Sequence, residues 1–199
     1  MLHKPTTRAL ALTLLLALPT ISEAGPPLIC HPFQTDGSPL LLWGDGPGWN
    51  TPNRAYDVQQ LTRDTLRLLS SNSPILTRME NLRRATIYAS QNARVADELL
   101  AAVLARTQTE TPSAQALFDA GYLIESFRQA AYMLPGRSPK TDGYALVARA
   151  IALAGPNAEM EFAASLMTTG EMAKAHRSRA QAGAPTGSLL ARNIANLAV

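Results

Sequence analysis

Three groups of residues in this 199-residue chain have types and spacing suited to chemistry. Cys30 and His31 are adjacent, and a thiolate beside an imidazole can serve as a nucleophile or hold a metal. The counts limit that reading. Cys30 is the only cysteine, and His176, the one other histidine beyond the N-terminal segment, is far away in sequence. A structural zinc site takes four Cys or His ligands, and haem attachment needs Cys-x-x-Cys-His. The expectation is therefore no metal and no cofactor, with Cys30 either free or forming an intermolecular disulfide. Asp45-Gly46-Pro47-Gly48-Trp49-Asn50 invites a calcium-loop or sugar-platform reading. Its spacing lacks the ligating Glu of an EF-hand loop. Trp43 and Trp49 are expected to clamp this loop onto the remaining chain, because each buries a large area. No Gly-rich phosphate loop, Gly-x-Ser-x-Gly elbow or His-Glu-x-x-His motif is present.

Leu123-Ile124-Glu125-Ser126-Phe127 resembles the Glu-Ser step of the lytic transglycosylases, which act on cell-wall glycan. The resemblance implies Glu125 as a general acid with a raised pKa. The chain departs from the family downstream, where no Gly-Leu-Met-Gln segment follows and Tyr132-Met133-Leu134-Pro135 leads elsewhere. Read locally, Glu125 is a surface helix residue pairing with Arg128. No complete catalytic set emerges, and a non-catalytic role is expected.

The elements that must position these residues are helical. Residues 25–56 hold six prolines, five glycines and both tryptophans, and read as an irregular segment. Leu40-Leu41-Leu42-Trp43 suits a short strand without a partner. From residue 57 to 199 the pattern has a helical period. Thr51-Pro52, Ser73-Pro74, Thr111-Pro112 and Ser138-Pro139 offer a capping oxygen followed by Pro at the first helical position. The spacing predicts helices over about 54–70, 74–90, 93–106, 113–133, 143–154, 157–169, 171–182 and 187–198. Val58, Leu61, Leu68 and Leu69 mark one face of the first. Ile75, Met79 and Leu82 mark the second, and Val95, Leu99 and Val103 the third. The class is all-α, either a helical bundle or an α-solenoid of antiparallel pairs.

The stretch Ala145–Ala182 resembles the tetratricopeptide-type helical repeat. Ala148, Ala152, Leu153, Pro156, Asn157, Ala158 and Glu159 fit the turn between units. Gly170 fits the turn within a unit, and Ala175 fits the small residue of its second helix. Gly121 and Ala85 with Tyr88 fit two earlier units more loosely. The resemblance implies a groove lined by first-helix residues, here Phe118, Tyr122 and Glu125 on one helix and Met160, Ala164 and Met167 on the next. Such a groove would take an apolar peptide or helix. Residues 30–57, followed by these helices, also resemble a group of uncharacterised exported bacterial proteins, which implies no particular activity.

Residues 1–24 set the compartment. Lys4 and Arg8 precede the apolar run Ala9–Leu18, and Ser22-Glu23-Ala24 places small residues at a cleavage site before Gly25. This is the pattern of a secretory signal peptide, and the run is far short of the roughly 20 residues a spanning helix needs. The expected location is periplasmic or secreted, without stable membrane insertion after cleavage. Cleavage removes two cations and one anion, which lowers the formal charge from +3 to +2. The remaining Lys and Arg form no stripe of the kind nucleic-acid binding requires. The expected partner is a protein or peptide of the cell envelope; a glycan-acting enzyme and a structural envelope component are the alternatives.

Overall fold

The computed structural model of this chain describes residues 27–69, 73–134 and 139–197. The export signal read in residues 1–24 lies outside them. All regular structure among the described residues is helical. A single turn, α1 (Pro27–Cys30), is followed by an extended stretch and a 3₁₀ turn at Val58–Gln60. Then come α2 (Leu61–Leu68), α3 (Ile75–Ala89), α4 (Ala93–Ala105), α5 (Ala114–Gln129), α6 (Gly143–Ala154), α7 (Ala158–Met167), α8 (Gly170–Ala182) and α9 (Leu189–Asn196). None of them is long and apolar enough to cross a membrane.

Helix starts are set by short polar side chains. Asn92, Ser113, Asp142, Asn157 and Ser188 each accept a hydrogen bond from a backbone N–H in the first turn that follows. That satisfies donors with no partner inside the helix. Among the described residues, no Ser or Thr of a Ser/Thr-Pro pair caps a helix. The Ser73 hydroxyl instead donates to the Leu68 carbonyl at 2.6 Å. No helix begins at Thr51-Pro52, where the Thr51 hydroxyl donates to the carbonyls of Gly46 and Gly48. At Thr111-Pro112 the helix starts two residues later, behind Ser113. Ser138 lies outside the described residues.

The helices close into a bundle around α3 and α5. Fourteen of the fifteen residues of α3 are buried, and twelve of the sixteen of α5. Outer helices keep a single apolar stripe, as Val95, Leu99 and Val103 do on α4. Helices α5 and α6 approach unusually closely because Gly121 faces Gly143. A Cβ on Gly121 would stand 2.4 Å from the Gly143 carbonyl oxygen, and one on Gly143 would stand 2.5 Å from that of Gly121.

The segment before α2 packs along α3 without forming a strand. Its backbone groups bond to α3 side chains. The Leu41 N–H donates to Asn81 Oδ1 at 2.8 Å and the Phe33 N–H to Glu80 Oε2 at 3.0 Å. Asn81 Nδ2 donates to the Pro39 carbonyl, Arg84 to that of Leu41, and the Tyr88 hydroxyl to that of Leu42. Arg83 donates to the carbonyls of Ile29 and Trp49 and is bonded to Glu80 through two nitrogens. Trp43 meets Tyr88 edge-on at 5.6 Å, and the Arg83 and Arg84 guanidiniums lie 5.1 and 5.4 Å from its ring centre. Leu40–Trp43 is thus an extended segment whose hydrogen-bond partner is a helix face.

Two consequences are measurable. Gly121→Ala gains about 1 kcal/mol of helix propensity, but a backbone carbonyl blocks the new methyl group. A net loss of about 1–3 kcal/mol is expected in chemical denaturation. Glu159 at the start of α7 accepts the Leu76 N–H at 3.2 Å, and burial holds its carboxyl above the ordinary 4.5. A carboxyl so raised binds its proton more tightly folded than unfolded. Its contribution to stability is full below pH 4.5 and is lost as pH rises through the folded value. Glu159→Gln is expected to remove that downward slope from stability measured against pH.

Candidate functional site

The residues expected to line a groove are buried or half-buried. Phe118 and Tyr122 are 0% exposed and Met160 is 2% exposed, so all three belong to the core. The rings of Phe118 and Tyr122 lie 5.7 Å apart. Met167, at the end of α7, is half-buried against that core. These four therefore do not form an open surface: α5 is a central helix, and the face assigned to a groove is covered by its neighbours. Burial pushes the Tyr122 hydroxyl well above its usual pKa, and that oxygen has no hydrogen-bond partner among the described residues.

Glu125 is buried rather than a surface residue. It does pair with Arg128, at 2.5 Å, but its Oε1 also accepts the N–H groups of Gly143 and Tyr144 at 3.0 and 3.2 Å. These are first-turn N–H groups of α6, where a carboxylate is favoured by both the free donors and the helix dipole. A general acid must carry a proton and present it to a substrate. Glu125 Oε1 accepts from all three donors, and that placement caps α6 inside the bundle rather than presenting the carboxyl to a substrate. Cys30 is half-buried with a free thiol, which burial pushes up against a hydrogen bond with Tyr132.

A polar cluster missed in the sequence joins α6, α7 and α8. Glu161 Oε2 lies 2.5 Å from His176 Nδ1, and His176 Nε2 lies 2.9 Å from the Tyr144 hydroxyl. Arg179 Nε lies 2.9 Å from the same Glu161 oxygen. Arg179 Nη2 also lies 2.7 Å from His176 Nδ1, so Nδ1 faces both a carboxylate acceptor and a guanidinium donor. Hydroxyl, imidazole and carboxylate in line is the arrangement of an activated nucleophile. The open groove beside it, about 670 Å³, touches Glu161 and Arg179 at the carboxylate end of that line, not the Tyr144 hydroxyl. The cluster therefore fixes Arg179 at the groove rim. Glu161 and His176 are equally placed about the turn at Thr168–Gly170, and that near-symmetry is the signal that could have paired them.

Helix α8 separates two open grooves. The first, toward α6 and α7, has an apolar floor of Ile151, Ala152, Ala158 and Ala182, with Arg179 at its rim. The second, toward α9, is about 620 Å³ and is lined by Ala184, Ala191, Ile194 and Leu197, with Arg177 and Gln181. Arg177 also donates to the Ile194 carbonyl near the C-terminus of α9.

Tyr122→Phe separates a core role from a recognition role. Removing an unpartnered buried hydroxyl is expected to leave stability unchanged or raise it by about 1 kcal/mol, read by thermal or chemical denaturation. A clear loss would mean that the hydroxyl has a partner.

Compared with known proteins, the chain matches no family model, no curated protein and no solved structure.

Proposed function

We propose that this protein is an exported, non-catalytic interaction module of the periplasm or extracellular space, and that it binds an amphipathic, acidic segment of an envelope protein across α8. The observation that carries this reading is the pair of open apolar grooves flanking α8, each with an arginine at its rim. Exposed Lys174 and Arg179 and half-exposed Arg177 outnumber Glu171 on that helix. An apolar floor with a cationic ridge suits a helix whose apolar face bears acidic flanks. The export pattern of residues 1–24 supplies the compartment.

In this proposal α7 and α8 form the repeat-like unit, with Asn157 capping α7 and Gly170 opening α8 at a φ of +61°. Ala163 and Ala164 of α7 and Ala180 of α8 are fully buried, whereas Ala175 faces solvent. The reading of Glu125 as a glycan-cleaving acid draws no support from a carboxylate already committed to capping α6.

The test is site-specific photocrosslinking in the cell envelope. A photoreactive residue at exposed Gln181 or Ala182 is expected to give one discrete adduct, and one at exposed Ala101 on α4 is expected to give none. An acidic amphipathic helical peptide should compete the adduct away, and Arg177→Glu with Arg179→Glu should abolish it. The same adduct from all three positions, or none from Gln181 and Ala182, would overturn the proposal.

A further inference from the structure

A second cavity, independent of the α8 grooves, has a different chemistry. It is a cleft of about 640 Å³ between the loop of residues 44–56 and the C-terminal end of α3, within the size range of small-molecule sites. Glu159, beside the α7–α8 groove, bonds the opposite end of α3, roughly 20 Å away along a 15-residue helix.

The cleft is rigidly built. Gly44 N–H donates to the Thr51 carbonyl at 3.2 Å, and the Thr51 hydroxyl holds the carbonyls of Gly46 and Gly48. A Cβ on Gly44 would stand 2.7 Å from the Thr51 carbonyl oxygen, so the loop closes only with glycine there. Asn53 N–H donates to the Tyr88 hydroxyl at 3.0 Å, which fixes the loop to α3. Half-buried Tyr56 packs on Tyr88 at 4.6 Å and sends its hydroxyl to Asp64, so it presents ring rather than hydroxyl to the cleft.

Three lining side chains complete the surface. Asn50, Arg54 and Gln91 are exposed, and none has a hydrogen bond or ion pair from its side chain among the described residues. Arg54 is the only charged residue in the lining. Side-chain amides both donate and accept, which matches neighbouring sugar hydroxyls. A ring face matches the C–H face of a pyranose, as apolar surface backed by polar groups. A guanidinium matches a carboxylate, two N–H groups to two oxygens.

We infer that this cleft binds a short saccharide bearing a carboxylate. The ring of Tyr56 receives a sugar face, Asn50 and Gln91 bond its hydroxyls, and Arg54 takes the acid. Because the loop is already fixed, little ordering opposes binding.

Isothermal titration calorimetry of the purified chain tests this with two probes. One is the acidic disaccharide of N-acetylglucosamine and N-acetylmuramic acid; the other is neutral chitobiose. The acidic probe is expected to bind saturably and more tightly than chitobiose. Arg54→Ala should weaken the acidic probe about tenfold or more and leave chitobiose unchanged. Asn50→Ala and Gln91→Ala should weaken both, while Gln181→Ala on α8 changes neither. All three cleft positions are exposed, and circular dichroism checks that each variant folds. No saturation by the acidic probe at millimolar concentration, equal affinity for both probes, or indifference to the three cleft substitutions would overturn the inference.

Discussion

Helix α3 buries Arg78, Glu80, Asn81 and Arg83 together with its apolar side chains. Moving an ion out of water costs several kcal/mol unless it meets an opposite charge and its remaining hydrogen-bonding groups are satisfied. The surrounding chain supplies those partners. Glu80 is paired with Arg83 and Arg84, and the extended N-terminal segment brings backbone groups to Glu80, Asn81, Arg83 and Arg84. Arg78 pairs at 2.7 Å with Asp119 of α5, which Arg106 also bonds, and both arginines donate to the Leu69 carbonyl. The irregular segment is thus no appendage. Without it, the polar face of α3 would be buried unpaired or left open to water.

The same logic recurs at the other joints. Glu125 closes α5 onto α6 by taking N–H groups at the start of α6. Glu159 ties α7 to the start of α3, and Glu161 ties α7 to α8 through His176 and Arg179. Each carboxylate has a specific set of donors, so each joint has one low-energy arrangement. Apolar contact alone would tolerate more slippage between Ala- and Leu-rich helices. At α5–α6 the register is fixed sterically as well, because Gly121 and Gly143 let the two backbones approach.

This commitment of buried charge shapes the functional surface. Glu125 and the Tyr144–His176–Glu161 line hold helices together, and the exposed polar groups border the cavities, Arg179 among them although it is also bonded to Glu161. Arg177 and Arg179 flank grooves on α8, and Asn50, Arg54 and Gln91 ring the cleft at the end of α3. Recognition by preformed surfaces, with the polar core reserved for architecture, is the division of labour we propose for this protein.

Much of the fold was legible in the sequence. Helical periodicity placed α3 to α9 to within a few residues, because apolar spacing and short polar caps act over a single turn. The capping residues were misplaced, by one or two positions at Ser73 and Thr111 and entirely at Thr51, where no helix begins, since a Ser or Thr before Pro suits a loop as well as a helix start. The site was less legible. Phe118, Tyr122 and Met160 have the types and spacing of a groove, but the same types and spacing fill a core, and only neighbours distant in sequence decide between the two. Met79 and Leu82 mark the apolar face of α3, but nothing local shows that Glu80, Asn81, Arg83 and Arg84 are covered by residues 29–49. Sequence alone therefore determined which segments are helical, because that depends on local hydrogen bonds and side-chain periodicity. Tertiary structure decided which helix is central, which charges are buried and which cavities stay open, because those depend on contacts between residues far apart along the chain.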